Sequence, residues 1–495
     1  MSNILDEILT FQSGDEEIKL RVFGDEFYAR RESLDGYTAI YDPRLDKYCY
    51  AKLENGELVS TGKSITGEIP EGVTPHLKES TEVRKEKFEK NYSNSGYSNI
   101  EDIDLKKNTN DNVERTKTES DGLLAGRKRN NGKIKGLTVI VEFADISTNI
   151  TPYDVEQMLN GENYNRNGNY CSVNKYFKTV SDGKLDYSND VIGPIKLSHR
   201  RNYYINESFI DEVMNIVVNN LNIDLSIYDS LKEGIVDAVN FLYAGETVYE
   251  GALWPHNSYK SIEFNDIKTG FYMLSSVGKD VDNMSIGTFC HESGHLLCRF
   301  ADLYDYGKRD GDNIKSKGLS IYCLMGSGNH LNNGRTPSPI CAYLRDLADW
   351  CDNKANLNEA GSYIAKHGEY NTVMKYKTSK PDEYFIIENR ATFDLDKYLP
   401  SSGLAIYHCD KNGSNEWQQG TPEQHYQCAL LQADGKRDLE RDVNYGDKGD
   451  LFGERSGITV SNNTNPSSKE WDGSDSGFVI SNITKPDINI QFKIG

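Results

Sequence analysis

Residues 286–300 read IGTFCHESGHLLCRF, and the five at its centre, His291-Glu292-Ser293-Gly294-His295, decide how the rest of the chain is read. No proline interrupts the stretch and Ser285 precedes it, so it is predicted to be a helix whose apolar positions lie opposite its histidines. Side chains four apart on a helix lie about 400° round the axis and nearly stack. The imidazoles of His291 and His295 can therefore reach one metal ion together. Glu292, one step round, misses the metal but lies beside a water bound on it, and can take that water's proton. Catalytic zinc keeps three protein ligands and one open position, so a third ligand is expected downstream. The stretch ADLYDYG (301–307) supplies Asp302 and Asp305 as candidates, and the tight turn IYCLMGSGNH (321–330) then brings in a methionine, Met325.

HESGHLLCRFADLYDYG followed by YCLMGSG resembles the immune-inhibitor-A-like metallopeptidases, bacterial members of the metzincin clan. Further similar stretches are VNKYFKTVSDGKLDY (173–187), LWPHNS (253–258), CAYLRDLADW (341–350), EYFIIENR (383–390), GLAIYHCD (403–410), LLQADG (430–435) and GDLF (449–452). The likeness runs from about residue 134 to the C-terminus. It implies a zinc endopeptidase that hydrolyses internal peptide bonds of protein substrates. His291, His295 and Asp302 match the zinc ligands, Glu292 the general base and Met325 the Met-turn residue. One departure stands out. The family's helix ends on a glycine three residues after the second histidine, with the aspartate three beyond that. Here Cys298 occupies the glycine position and Asp302 comes one residue late, seven after His295. Asp305 therefore competes with Asp302 for the third-ligand role. Cys298 is itself a soft donor on the same helix side, but a thiolate makes the metal a poorer Lewis acid and suits structural sites better.

The chain has 495 residues, too many for one ordinary domain. Its 37% hydrophobic content supports packed cores, and a net charge of −20 gives a field that disfavours nucleic acid and anionic lipid as partners. A protein or peptide substrate is the expected partner; nothing in the sequence bears on oligomeric state. The nine cysteines are scattered, odd in number and free of CxxC pairs, so a disulfide framework is not expected and a reducing compartment is. No stretch approaches the ~18–20 apolar residues of a membrane span. The start, MSNILDEILTFQSGDEEIKL, has no signal-peptide pattern. As written the chain reads as cytoplasmic, with export by another route or a trimmed signal as the alternative.

The fold class expected is α+β: a zincin or metzincin-like catalytic domain, with a mixed sheet over its active-site helix, flanked by β-rich N- and C-terminal domains. Residues 1–79 read as a β-rich unit with hairpin turns at Asp35-Gly36, between LRVFGDEFYARRE and YTAIYDP, and at Asn55-Gly56. Residues 80–132 read as a polar linker ending at an exposed basic cluster, Arg127-Lys128-Arg129, that a trypsin-like protease would cut. The peptidase domain is placed at 133–368 and a β-rich C-terminal domain at 369–495. LTVIVEF (137–143) and IVDAVNFLYAG (235–245) are buried-strand candidates, and Asn206 is a candidate cap for a helix through ESFIDEVMNIVVNNL. Residues 1–132 make a candidate inhibitory pro-segment, with Cys49 as a zinc-capping thiolate; active enzyme with an intact N-terminus would rule removal out.

Weaker candidates are His256 and His330 as cleft or oxyanion residues, and Tyr304 or Tyr306 as oxyanion donors. His408 reads as a strand residue. Calcium has partial motifs at Asp310-Gly311-Asp312-Asn313 and Asp447-Lys448-Gly449-Asp450, neither a full EF-hand loop. Two other function classes stay open at this stage: a binding or toxin-like module that holds zinc without cutting, and a zinc hydrolase acting on non-peptide amides or esters.

Overall fold

The computed structural model describes residues 4–14, 16–24, 28–84, 86–87, 121–249, 251–307, 314–453 and 457–495. The first unit is a six-stranded antiparallel sheet whose strands lie in chain order: β1 (Ile4–Ser13), β2 (Glu16–Gly24), β3 (Ala29–Glu32), β4 (Thr38–Asp42), β5 (Lys47–Glu54) and β6 (Glu57–Ser64). Asn55 and Gly56 both have positive φ (52° and 82°), the geometry of a tight two-residue hairpin. Ile18, Leu20, Ala39, Tyr48, Tyr50 and Ile65 form its core. LRVFGDEFYARRE (20–32) is divided between the end of β2 and β3. Cys49 is buried within this sheet, its thiol against the Lys47 carbonyl.

The central sheet has the order β10-β13-β9-β7-β8, from β7 (Gly132–Glu142), β8 (Leu185–Lys196), β9 (Val239–Ala244), β10 (His256–Tyr259) and β13 (Phe271–Gly278); a small hairpin of β11 (Glu263–Phe264) and β12 (Ile267–Lys268) lies between the last two in sequence. Four strands run parallel and the outer strand β10 runs antiparallel to β13. Both faces are covered, as the unbroken apolar runs of β7 and β9 require. Leu137, Val139, Val141, Phe241 and Tyr243 face a layer that includes the Ile210–Asn215 helix. Ile140, Leu242 and Met273 face the Pro152–Asn160, Val173–Val180 and Gly287–Cys298 helices. Asn206 ends a short helix (Tyr203–Asn206) instead of capping the next one, where the Ser208 hydroxyl accepts from the Ile210 N–H at 3.3 Å.

The segment from 121 to 131 belongs to this central body and not to a linker. Leu123 lies in its core, the Leu124 N–H donates to the Arg299 carbonyl (2.7 Å), and the Arg129 N–H donates to the Leu297 carbonyl (2.6 Å). The basic cluster is correspondingly docked. Arg127 pairs with Glu233 at 2.8 Å and Arg129 pairs with Asp237, leaving their side chains 18% and 7% exposed. Three acidic residues distant in sequence, Asp229, Glu233 and Asp237, neutralise what a linear reading takes for an exposed cleavage site. Of the rest of the expected linker, residues 85 and 88–120 lie outside the described residues.

The C-terminal region pairs two sheets across a shared core. One has the order β14-β16-β17-β18-β19, from β14 (Asn353–Asn356), β16 (Thr372–Lys377), β17 (Glu383–Arg390), β18 (Gly403–Asp410) and β19 (Cys428–Leu430). The other has the order β15-β22-β21-β20, from β15 (Gly361–Lys366), β20 (Ile458–Val460), β21 (Ile480–Ile483) and β22 (Asn489–Ile494). Phe385, Ile387, Leu404 and Ile406 of the first meet Ile480, Ile490 and Phe492 of the second. These sheets begin at Asn353, so a boundary at 368/369 would cut off β14 and β15, which are short, mostly exposed and without a clear alternating pattern.

The N-terminal sheet docks through Val22, which packs with Tyr249 and Trp254, and through Arg31, which donates to the Tyr249 carbonyl (2.5 Å). That loop leads directly into β10. Among the described residues no helix is long and apolar enough to cross a membrane.

Candidate metal centre

The Gly287–Cys298 helix is buried all round, not on one face only: every residue from Phe289 to Cys298 is inaccessible or nearly so. Two glycines let neighbouring segments come this close. A Cβ on Gly287 would lie 2.0 Å from the Asn329 carbonyl oxygen, and one on Gly294 would lie 2.7 Å from the Met325 sulfur. Met325, wholly buried, therefore forms a floor directly against the turn that carries both histidines. Gly294→Val would overpack this contact and is expected to lower stability by about 2–3 kcal/mol in chemical denaturation. A variant as stable as the parent would show that the floor yields freely.

Each histidine is held by a backbone carbonyl. His291 Nδ1 lies 2.8 Å from the Leu324 oxygen and His295 Nδ1 lies 2.6 Å from the Phe300 oxygen. A carbonyl only accepts, so each Nδ1 carries a proton, and in the neutral tautomer this leaves the Nε2 lone pair facing inward. Those Nε2 atoms are 3.2 Å apart, and Asp302 Oδ1 lies 3.3 Å from both. Burial pushes the His295 ring down to about 4, keeping it neutral. Three electron-pair donors thus converge in a dry, nearly equilateral triangle.

The Tyr306 hydroxyl donates to Asp302 Oδ2 (2.8 Å) and is itself 2.9 Å from the Tyr304 hydroxyl. Of the two tyrosines considered as oxyanion donors, Tyr306 is thus committed to orienting the carboxylate. Carboxylates fixed in this way bind metal about 10–100-fold better than unsupported ones, and Tyr306→Phe is expected to weaken metal retention by that factor in a competitive chelator titration. Unchanged retention would leave that hydroxyl a packing role only.

Asp305, the competitor, points elsewhere. Its Oδ1 accepts from the Gly307 N–H (2.6 Å) and its Oδ2 from the Gln418 amide (2.5 Å). Cys298 is the last helical residue, fully buried among apolar neighbours that push its thiol upward, and it is not one of the converging groups. Arg299 explains the unusual spacing. It takes the left-handed conformation (φ 57°, ψ 32°) that ends the helix. It is fixed there by bonds to the Ala125 and His295 carbonyls (2.9 and 3.0 Å) and by stacking on Phe271. The chain turns one residue later than a glycine at 298 would allow, and Asp302 still reaches the histidines.

Two residues at the site escaped the sequence reading. The Asp302 N–H donates to Glu416 Oε1 (3.1 Å), and Gln418 holds Asp305. Both come from the 411–427 loop of the C-terminal region, and no local spacing links them to the histidines. Of the weaker candidates, His256 donates from Nδ1 to the Trp254 carbonyl (2.6 Å) and accepts the Tyr272 hydroxyl at Nε2 (3.2 Å). Burial lowers its pKa, while the Trp254 carbonyl and the Glu292 charge oppose that. His408 is a strand residue paired with Glu383 at 2.8 Å; His330 lies half-buried beyond the Met325 turn. Asp447 and Asp450 accept from their own turn's N–H groups and from Tyr322. Residues 310–313 lie outside the described residues. Among the described residues, His291, His295 and Asp302 are the one group of three or more His, Cys, Asp or Glu side chains close enough to share a metal.

No protein-family model matches the chain, and no curated protein matches it. Among solved structures, the chain is similar to wild-type OgpA from Akkermansia muciniphila, at 10% identity over 58% of this chain and 92% of that one. The TM-score is 0.25, and a likeness of that size carries no argument about fold or activity.

Proposed function

We propose that this chain is a zinc-dependent endopeptidase of the immune-inhibitor-A-like, metzincin type. One observation carries the reading: the three donor atoms stand 3.2–3.3 Å apart. Ligands at about 2.0–2.1 Å from a tetrahedral zinc are separated by about 3.3–3.4 Å, so the triangle has the dimensions that ion demands. The donor set also fits, since two neutral imidazoles and one carboxylate leave a fourth position open and a residual positive charge.

Zinc bound there supplies Lewis acidity, bringing the pKa of a coordinated water down to about 7. The chain's own groups do the rest. The Leu324 and Phe300 carbonyls fix the imidazole tautomers, and Tyr306 orients Asp302. Glu292, fully buried beside His291 on the same helix, would accept the proton of the attacking water and return it to the departing amine. Among the described residues β10 is the last strand on its side of the sheet, and we expect an extended peptide substrate to be held there by main-chain hydrogen bonds. Such recognition reads backbone rather than one side chain and favours cleavage within a polypeptide over hydrolysis of small esters. A casein or peptide-library digest with and without a zinc chelator tests this. Internal cleavage that stops on chelation and returns with zinc is expected; turnover of small esters with no cleavage of any unfolded protein would overturn the peptidase reading.

A further inference from the structure

Cys409 of β18 and Cys428 of β19 face each other directly across the strand pair, with their sulfurs 3.7 Å apart. The next pair along, Asp410 and Gln427, is joined by a backbone hydrogen bond of 2.9 Å. In an antiparallel ladder the two pair types alternate, so 409/428 is a non-hydrogen-bonded pair, whose Cα atoms stand about 4.5 Å apart. That lies inside the about 4.4–6.8 Å window of a disulfide. Only a small side-chain rotation separates the two thiols from bonding distance.

We propose that Cys409 and Cys428 form a redox-modification site, oxidised to a disulfide by peroxide. Cys428 sits on a buried three-residue strand at one edge of the sheet, so a small oxidant reaches it only when that strand opens. Its thiolate attacks one peroxide oxygen, the O–O bond breaks, and a sulfenic acid forms as hydroxide leaves. The Cys409 sulfur then attacks the Cys428 sulfur; the S–S bond forms, the S–O bond breaks and water leaves. Two thiols and one peroxide become one disulfide and two waters. Both thiols are fully buried and burial raises them, so the closed form reacts slowly and strand opening gates the rate. Cys341 lies within reach of both Cys323 and Cys428, so the same core offers rival pairings, though neither is directly opposed across a ladder.

The bond would close the base of the 411–427 loop, whose Glu416 and Gln418 hold Asp302 and Asp305. Asn415 already ties that loop to Cys428 through both backbone groups (2.9 Å each). Oxidation therefore restrains the segment that supports the third-ligand candidate, whatever reaction the site performs.

The test uses the full-length protein treated with hydrogen peroxide, then alkylated in denaturant and digested without reduction. A linked peptide joining Cys409 to Cys428, lost on dithiothreitol treatment and still formed in Cys323→Ser, is expected. Linkage of Cys341 to Cys323 or to Cys428 instead, or recovery of Cys409 and Cys428 both alkylated, overturns the assignment. Loss of zinc to a chelator should be severalfold slower in the oxidised protein; an unchanged rate would show that the bond does not reach the site.

Discussion

Glu292→Gln is expected to retain zinc at one equivalent while kcat falls by about 10³–10⁴-fold. The substitution preserves the shape of the side chain and removes only its capacity to accept a proton. The residue takes no part in the triangle of donors, which is built from His291, His295 and Asp302, so affinity for the metal should hardly change. KM should also stay near the parent value, because a group that acts in the transition state contributes little to ground-state binding. Metal content and steady-state kinetics on one preparation check this. Near-parental turnover would remove Glu292 from the role of general base.

Asp302→Ala is the second large effect. It takes away the sole anionic donor and leaves two neutral imidazoles, an incomplete set that holds zinc weakly. Retention should fall by several orders of magnitude, and activity with it. Asp305→Asn is the control: its carboxylate is occupied by the Gly307 N–H and Gln418, so it should leave metal affinity within a few-fold of the parent. Comparing zinc affinities of the two variants by competition with a chromophoric chelator decides between the aspartates. A larger loss in the Asp305 variant would reverse the assignment.

What the linear sequence revealed was what depends on short-range periodicity. His291 and His295 share a helix face because they are four apart, and β7 and β9 read as buried because their apolar runs are continuous. The Asn55-Gly56 turn announces itself because few residues tolerate positive φ twice in succession. What stayed hidden depends on partners far along the chain. Arg127 and Arg129 look exposed until Glu233 and Asp237 fold against them. Strands β14 and β15 carry no clear alternating pattern because they bury little. Glu416 and Gln418 approach the site from more than a hundred positions away. The choice between Asp302 and Asp305 lay between these extremes, since it turned on how one helix ends.

That ending has a wider consequence. Where a glycine makes the bend, the backbone alone sets the distance to the next donor, and the count between them is fixed. In this chain the side chain of Arg299 holds the bend by gripping two carbonyls and an aromatic ring. The count is thereby freed to drift by one while the three donors keep their mutual spacing. A pattern that demands the glycine and its fixed interval would pass over this arrangement, although its three side chains still converge.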